Sequence, residues 1–126
     1  MGALAATPGV LTKVIETDLR THVVQTLEGP RDFYGHPLDE HGLIGPQVMV
    51  STLHPDDQER FIEIAERSET LRPGEELRYE LRVRHRDGYW VLAKCRSVPK
   101  EWDYRGFVVV IRSEVEMVPY SSGLPI

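Results

Sequence analysis

The segment from Leu77 to Val98 constrains the fold more than any other part of the chain. Leu77, Tyr79, Leu81 and Val83 alternate with Arg78, Glu80, Arg82 and Arg84. Successive side chains of a strand point to opposite faces, so this run is a strand with one face buried. Arg86-Asp87-Gly88 follows, and Asp-Gly supplies the positive φ that a tight hairpin turn needs. Tyr89 to Val98 then returns antiparallel. Asp103-Tyr104-Arg105-Gly106 reverses the chain again. It leads into Phe107-Val108-Val109-Val110-Ile111, which is apolar on both faces, the pattern of a central strand.

The rest of the chain supplies the complement to this meander. Val10-Leu11, Val14-Ile15 and His22-Val23-Val24 form two β-branched runs broken by Asp18-Leu19-Arg20-Thr21, which predicts a hairpin over 10–28. Gly29, Gly35, Gly42 and Gly45, with Pro30, Pro37 and Pro46, forbid a long element before residue 47 and predict short helical turns joined by bends. His54-Pro55-Asp56-Asp57 opens the strongest helix. Proline suits the first turn, and the two carboxylates complement the positive end of the helix dipole. Phe61, Ile64, Ala65 and Ser68 give it one small apolar stripe, and Arg72-Pro73-Gly74 stops it. Strands, helices, then strands predict an α+β domain: a five-stranded antiparallel sheet with helices packed on one face. The domain is expected over 11–116, with a flexible N-terminal tail at 1–10 and an irregular C-terminal tail at 117–126.

Charge narrows the partners. The formal net charge is −5, from 15 basic and 20 acidic residues. Duplex binding rests on phosphate neutralisation, so nucleic acid is a poor partner. Arg78, Arg82, Arg84 and Arg86 are interleaved with Glu75, Glu76, Glu80 and Asp87, the pattern of a solvated strand face. Cys95 is the single cysteine, which leaves no intrachain disulfide and no multi-cysteine metal site. No apolar run approaches the ~20 residues of a membrane span. Met1 to Pro8 lacks the basic region and long apolar stretch of a signal peptide. A cytoplasmic protein without a membrane partner is the expectation.

Catalytic chemistry finds little support. The sequence has no Gly-rich phosphate loop, no G-x-S-x-G and no His-Glu metal motif. His36, Asp39 and His41 sit in a Gly/Pro-broken loop without fixed geometry, whereas a structural metal site needs about four placed ligands. His54 reads as a cap of its helix, and His22 and His85 as solvated strand-end residues. Cys95 is in phase with Val91, Ala93 and Ser97, the position of a small buried residue. A nucleophile needs a base partner, and none stands out, so the chain is not expected to be an enzyme.

Read together, several segments resemble the PAS fold with its C-terminal PAC motif, found in bacterial-type signalling proteins. They are HPDD at 54–57, LRYELRVRHRDGYWVLAKCRSVP at 77–99 and GFVVVIR at 106–112. His85-Arg86-Asp87-Gly88 and Trp90-Val91 match the family's hairpin and Trp-Val strand. Thr17-Asp18, Phe33-Tyr34-Gly35 and Leu43-Ile44-Gly45 match its upstream positions. Two features depart from the family. Ser113-Glu114-Val115 stands where it usually has Asp-Ile-Thr, and prolines follow in place of a signalling helix. The coupling element is thus altered or belongs to a longer parent chain.

The resemblance implies a two-component-type sensor that couples a small organic ligand to a downstream output domain. The pocket would lie between the helices and the concave sheet face, walled by Phe61, Ile64, Ala65, Tyr79, Leu81, Val91, Cys95, Val109 and Ile111. The same residues can simply fill a core, and the sequence leaves both readings open. No cofactor is expected. Haem needs an axial ligand, and no histidine lies between 55 and 84. The cysteine of a flavin photosensor is missing from residues 30 to 70. The alternative is a ligand-free interaction module. Trp90, Leu92, Val108 and Val110 would form an apolar patch on the outer sheet face and pair as a homodimer.

Overall fold

β-branched and alternating runs become strands where their periodicity places them. The computed structural model describes residues 11–119 except 33 and 37, and the side chains of 46 and 119 are not described. The strands are β1 (Leu11–Asp18), β2 (Val23–Glu28), β3 (Leu43–Ile44), β4 (Leu77–Arg84), β5 (Trp90–Trp102) and β6 (Val108–Pro119). Two helices, α1 (Pro46–Ser51) and α2 (Gln58–Ser68), lie between β3 and β4. The strands form one six-stranded sheet in the order β3-β2-β1-β6-β5-β4, with every pairing antiparallel. The two-residue β3 is the strand beyond the expected five: it is too short to show alternation. Residues 117–119, expected to be irregular, extend β6. The tails at 1–10 and 120–126 lie outside the described residues.

The expected hairpins form. Gly88 closes the β4–β5 turn at φ +99° and donates its N–H to the His85 carbonyl at 2.8 Å. Asp103 closes β5–β6 by accepting from the main-chain N–H groups of Arg105 and Phe107. Through 29–45 the chain runs in turns and bends, with no helix among the described residues before Pro46.

The core lies on one face of the sheet. Leu77, Leu81, Val83, Val91, Ala93, Ile111, Val115 and Met117 point inward and pack against Leu53, Ile64 and Leu71, with Phe61 against their edge. β6 is central, between β1 and β5, as its two-sided apolar pattern requires. No helix among the described residues is long and apolar enough to cross a membrane.

The segment before α2 is pinned to the free edge of β4. Leu53 bridges Val83, the His54 N–H reaches the Arg82 carbonyl at 2.9 Å, and the Arg84 N–H reaches the Thr52 carbonyl at 2.7 Å. His54 Nδ1 accepts from the Asp56 N–H at 3.0 Å, the capping role expected of it. Pro55–Asp57 form a 3-10 turn that leads directly into α2. Asp57 is buried beside the strand. Its carboxylate accepts the Arg82 main-chain N–H at 2.8 Å and the guanidinium at 2.7 and 3.1 Å.

Burial alone would raise the Asp57 pKa. The hydrogen bonds from Arg82, with the charges of Arg82 and Arg60, outweigh it and hold the carboxyl below its ordinary value. A carboxyl depressed in the fold stabilises above its unfolded value of about 3.9, and that stability is lost as pH falls through the folded value. Asp57→Ala is expected to cost about 2–4 kcal/mol in urea unfolding at pH 7. Asp57→Asn should cost less and flatten the wild-type loss of stability below pH ~4. Equal stability of Asp57→Ala and wild type would remove Asp57 from this role.

Candidate functional site

Register places a polar group inside the apolar face. Leu77↔Ser97↔Ser113 and Tyr79↔Cys95↔Val115 are neighbouring inward rows across β4, β5 and β6. Ser97 and Ser113 are buried, and their hydroxyls meet at 2.6 Å. The Tyr79 hydroxyl meets Ser97 at 2.8 Å, so three hydroxyls form one chain. Burying a hydroxyl is costly unless it is paired, and here each finds a partner.

Cys95 and Tyr34 stand beside this chain. Burial pushes the Cys95 thiol up to about 12, opposed by a hydrogen bond from Tyr79. Burial also raises the phenols of Tyr34 and Tyr79 above their ordinary range, with Cys95 adding to the effect. All three stay protonated at neutral pH, so the group can bind and orient but offers no nucleophile.

The residues expected to wall a pocket are mostly brought together. Phe61, Ile64, Tyr79, Leu81, Val91, Cys95 and Ile111 share one packed cluster. Ala65 is half-buried on α2, and Val109 is buried with its carbonyl accepting from the Leu19 N–H at 2.9 Å. In this arrangement they interlock as a core. Sequence reasoning missed Ser97, Ser113 and Tyr34. The two serines keep the inward phase of β5 and β6, and that phase is the signal that identifies them.

The outer-face residues divide. Val108 is only 2 % exposed and belongs to the helix-side core, its N–H bonded to the Glu69 carbonyl at 2.9 Å. This corrects the expectation that it lies on the outer face. Register shifts near Pro99, Glu101 and Trp102, opposite Val110 and Val108, break the alternation that sequence phase assumes. Leu92 and Val110 are half-buried and in outward phase. Trp90 is half-buried, its ring 4.7 Å from that of His54.

Two charged rows cross the middle of the outer face. Arg78↔Arg96↔Glu114↔Val14 and Glu80↔Lys94↔Glu116↔Thr12 flank a groove of about 800 Å³. Arg78 and Arg96 stand directly opposite each other, which would destabilise the pair. Glu76 lies between them, 2.6 Å from Arg78 and 3.0 Å from Arg96, and Glu114 is 3.2 Å from Arg96. The expected solvated stripe is mostly exposed, at Arg78, Glu80, Arg84 and Arg86, with Arg78 held by Glu76 and Arg82 turned to Asp57. The loop residues weighed as metal ligands have other partners. Asp39 accepts from the His41 and Leu43 N–H groups, and His36 Nε2 lies 3.3 Å from the Arg84 carbonyl.

Comparison with known proteins agrees with this architecture. A family model described as the PAS fold matches residues 31–113. No curated protein sequence matches the chain. A domain assigned to a light- and redox-sensing histidine kinase of Haloarcula marismortui is similar, with TM-score 0.61 and 16% identity, over 88% of this chain and 92% of that one. A sensory box histidine kinase/response regulator from Burkholderia thailandensis is also similar, with TM-score 0.54 and 16% identity, over 86% of this chain and 77% of that one. At such identity the likeness is one of fold.

A thiol at about pKa 12 is roughly one part in ten thousand thiolate at pH 8. Native protein at pH 8 should therefore react with a thiol-specific chromogenic disulfide far more slowly than protein in denaturant. Equal rates would mean that Cys95 is neither shielded nor raised.

Proposed function

The chain belongs to the PAS-fold family, and on that premise we propose that it is a sensory signalling module that seats a small molecule on the helix side of its sheet. The observation that carries this reading is the chain of hydroxyls, Tyr79–Ser97–Ser113, set against the apolar cluster. An aliphatic core needs no such group. A ligand with a polar atom can exchange partners with it, while Phe61, Ile64 and Leu81 accept its apolar part. Because those side chains already pack together, seating a ligand displaces α2. The displacement reaches β4 through Asp57 and Arg82 and passes along the sheet to an output module. The histidine-kinase names of the similar structures support a two-component output. In this reading the domain is cytoplasmic, catalyses nothing itself and holds neither haem nor flavin.

A second reading has its own observation, the closely filled interior. A domain without a ligand would act as an interaction module, pairing as a homodimer through the outer face. Leu92 lies opposite Val118 there, with Val110 towards the other end. The ion-paired rows between them would fix the register of two protomers.

Native mass spectrometry of the freshly purified protein, expected to be colourless, separates the readings. A sensor is expected to carry or take up a small-molecule adduct, and Tyr79→Phe should weaken its retention. A strong visible absorption at stoichiometric cofactor would overturn the absence of haem and flavin. For association, Leu92→Glu with Val110→Glu should give a folded monomer in light scattering. A wild-type monomer at ~100 µM, where a µM interface would be mostly occupied, would rule out pairing through this face.

A further inference from the structure

A second cavity lies at the end of the sheet, between the loop after β2 and the β4–β5 hairpin. Its volume is about 140 Å³, and its apolar floor includes Leu11, Val91 and Met117. Cavities of roughly this size accept a molecule as large as benzene. Its walls carry Tyr34, His85, Tyr89 and Asp32. The His85 and Tyr89 rings stack at 4.4 Å, and Tyr89 is half exposed, so the site is open to solvent.

The walls are held in place by contacts that the chain strains to make. Tyr34 sits at φ +53° and Gly35 at φ +82°. A non-glycine residue in that region is uncommon and persists where its surroundings fix it. Here the Tyr34 carbonyl accepts the Arg86 N–H at 2.8 Å, and Asp32 Oδ2 accepts the Gly35 N–H at 2.6 Å. A Cβ on Gly35 would lie 2.6 Å from the His85 ring, so only glycine permits this approach. The loop is clamped on the hairpin, and the cavity is what the clamp encloses.

We propose that this cleft binds a small organic cation of the methylated-ammonium class. The faces of the tyrosine rings attract such a cation, and the apolar floor accepts its methyl groups. A floor of that kind strips water from the charge, which calls for an anion, and Asp32 supplies it. Asp87, 3.6 Å from His85 Nδ1, adds a second carboxylate near the rim. The opposing charge is the Lys13 ammonium, which donates to the Asp32 main-chain oxygen at 3.1 Å. Burial lowers the Lys13 pKa, while the Asp32 charge acts the other way. This site stands apart from the Tyr79–Ser97–Ser113 group, so either can fail without the other.

The test is a titration of the ¹⁵N-labelled full chain with tetramethylammonium chloride, against tert-butanol as a neutral molecule of similar shape, at matched ionic strength. Saturable shifts are expected at the amides of Tyr34, Gly35, His85 and Tyr89, with the cation binding at least about tenfold tighter than the alcohol. Asp32→Asn keeps an acceptor for the Gly35 N–H and should weaken the cation by roughly tenfold. Tyr89→Leu, at a half-exposed position, should weaken it by roughly three- to tenfold, the size of one partly desolvated cation–π contact. Tyr79→Phe should leave this titration unchanged. No saturable shift, equal affinity for alcohol and cation, or insensitivity to both Asp32→Asn and Tyr89→Leu would overturn the proposal.

Discussion

The buried carboxylate of Asp57 against the edge of β4 is the contact on which the helix–sheet arrangement depends. β4 ends the sheet order, so its outer N–H and C=O groups would otherwise face water or another chain. Thr52, Leu53 and His54 pair with those groups, and Asp57 completes the seam by taking both the main chain and the guanidinium of Arg82. α2 begins at the next residue. Its direction over the core is therefore set by a charged pair at its first turn as much as by the packing of Phe61 and Ile64. Removing one partner would leave a desolvated charge, which costs more than the pair gains by forming.

From that seam the sheet acquires two unlike faces. Inward rows are largely apolar, apart from Tyr79, Ser97 and Ser113, which satisfy one another, and buried Lys13, which donates to the Asp32 main-chain oxygen. Outward rows are charged except near their ends, where Leu92 and Val118 meet. The inner hydroxyls have exchanged water for each other, so a ligand seated there would have to restore an equivalent set of bonds. The outer charges are half-screened by water and gain little as isolated pairs. Their arrangement therefore does little to hold the domain together, and in the interaction-module reading it would set the register of a partner.

What the sequence made legible follows from the range of the interactions involved. Strand alternation, the Asp-Gly turn and the His-Pro-Asp-Asp helix start are set by neighbours within a few residues, and each appears where it was expected. β3 escaped because two residues carry no period. Val108 escaped because the β5–β6 register slips twice beside it, once past Lys100 on β5 and once past Val109 on β6, which moves it from the outer phase into the core. The nine proposed pocket residues were legible as inward-facing, but whether they enclose space or fill it depends on how closely α2 settles, which no local pattern encodes. Asp57 was legible as a complement to the helix dipole. Its bond to Arg82 was not, since it joins residues 25 apart in the chain.

The cleft at the sheet end is the extreme case of that limit. Tyr34-Gly35 matched a family position in sequence, yet nothing local indicates that Gly35 must admit the ring of His85. The same strands also tie the cleft to the core. Val91 and Met117 line the cleft on one side and belong to the packed cluster on the other. Close-packed interiors transmit displacement because they have little free volume in which to absorb it. An occupant that shifts Met117 therefore presses on Ala93, its cross-strand partner, and through it on Leu81 in β4. Leu81 precedes Arg82, the residue that holds Asp57 and the start of α2. The cleft and the helix thus bear on one strand from opposite sides, and a bound cation would be felt at α2 without touching it.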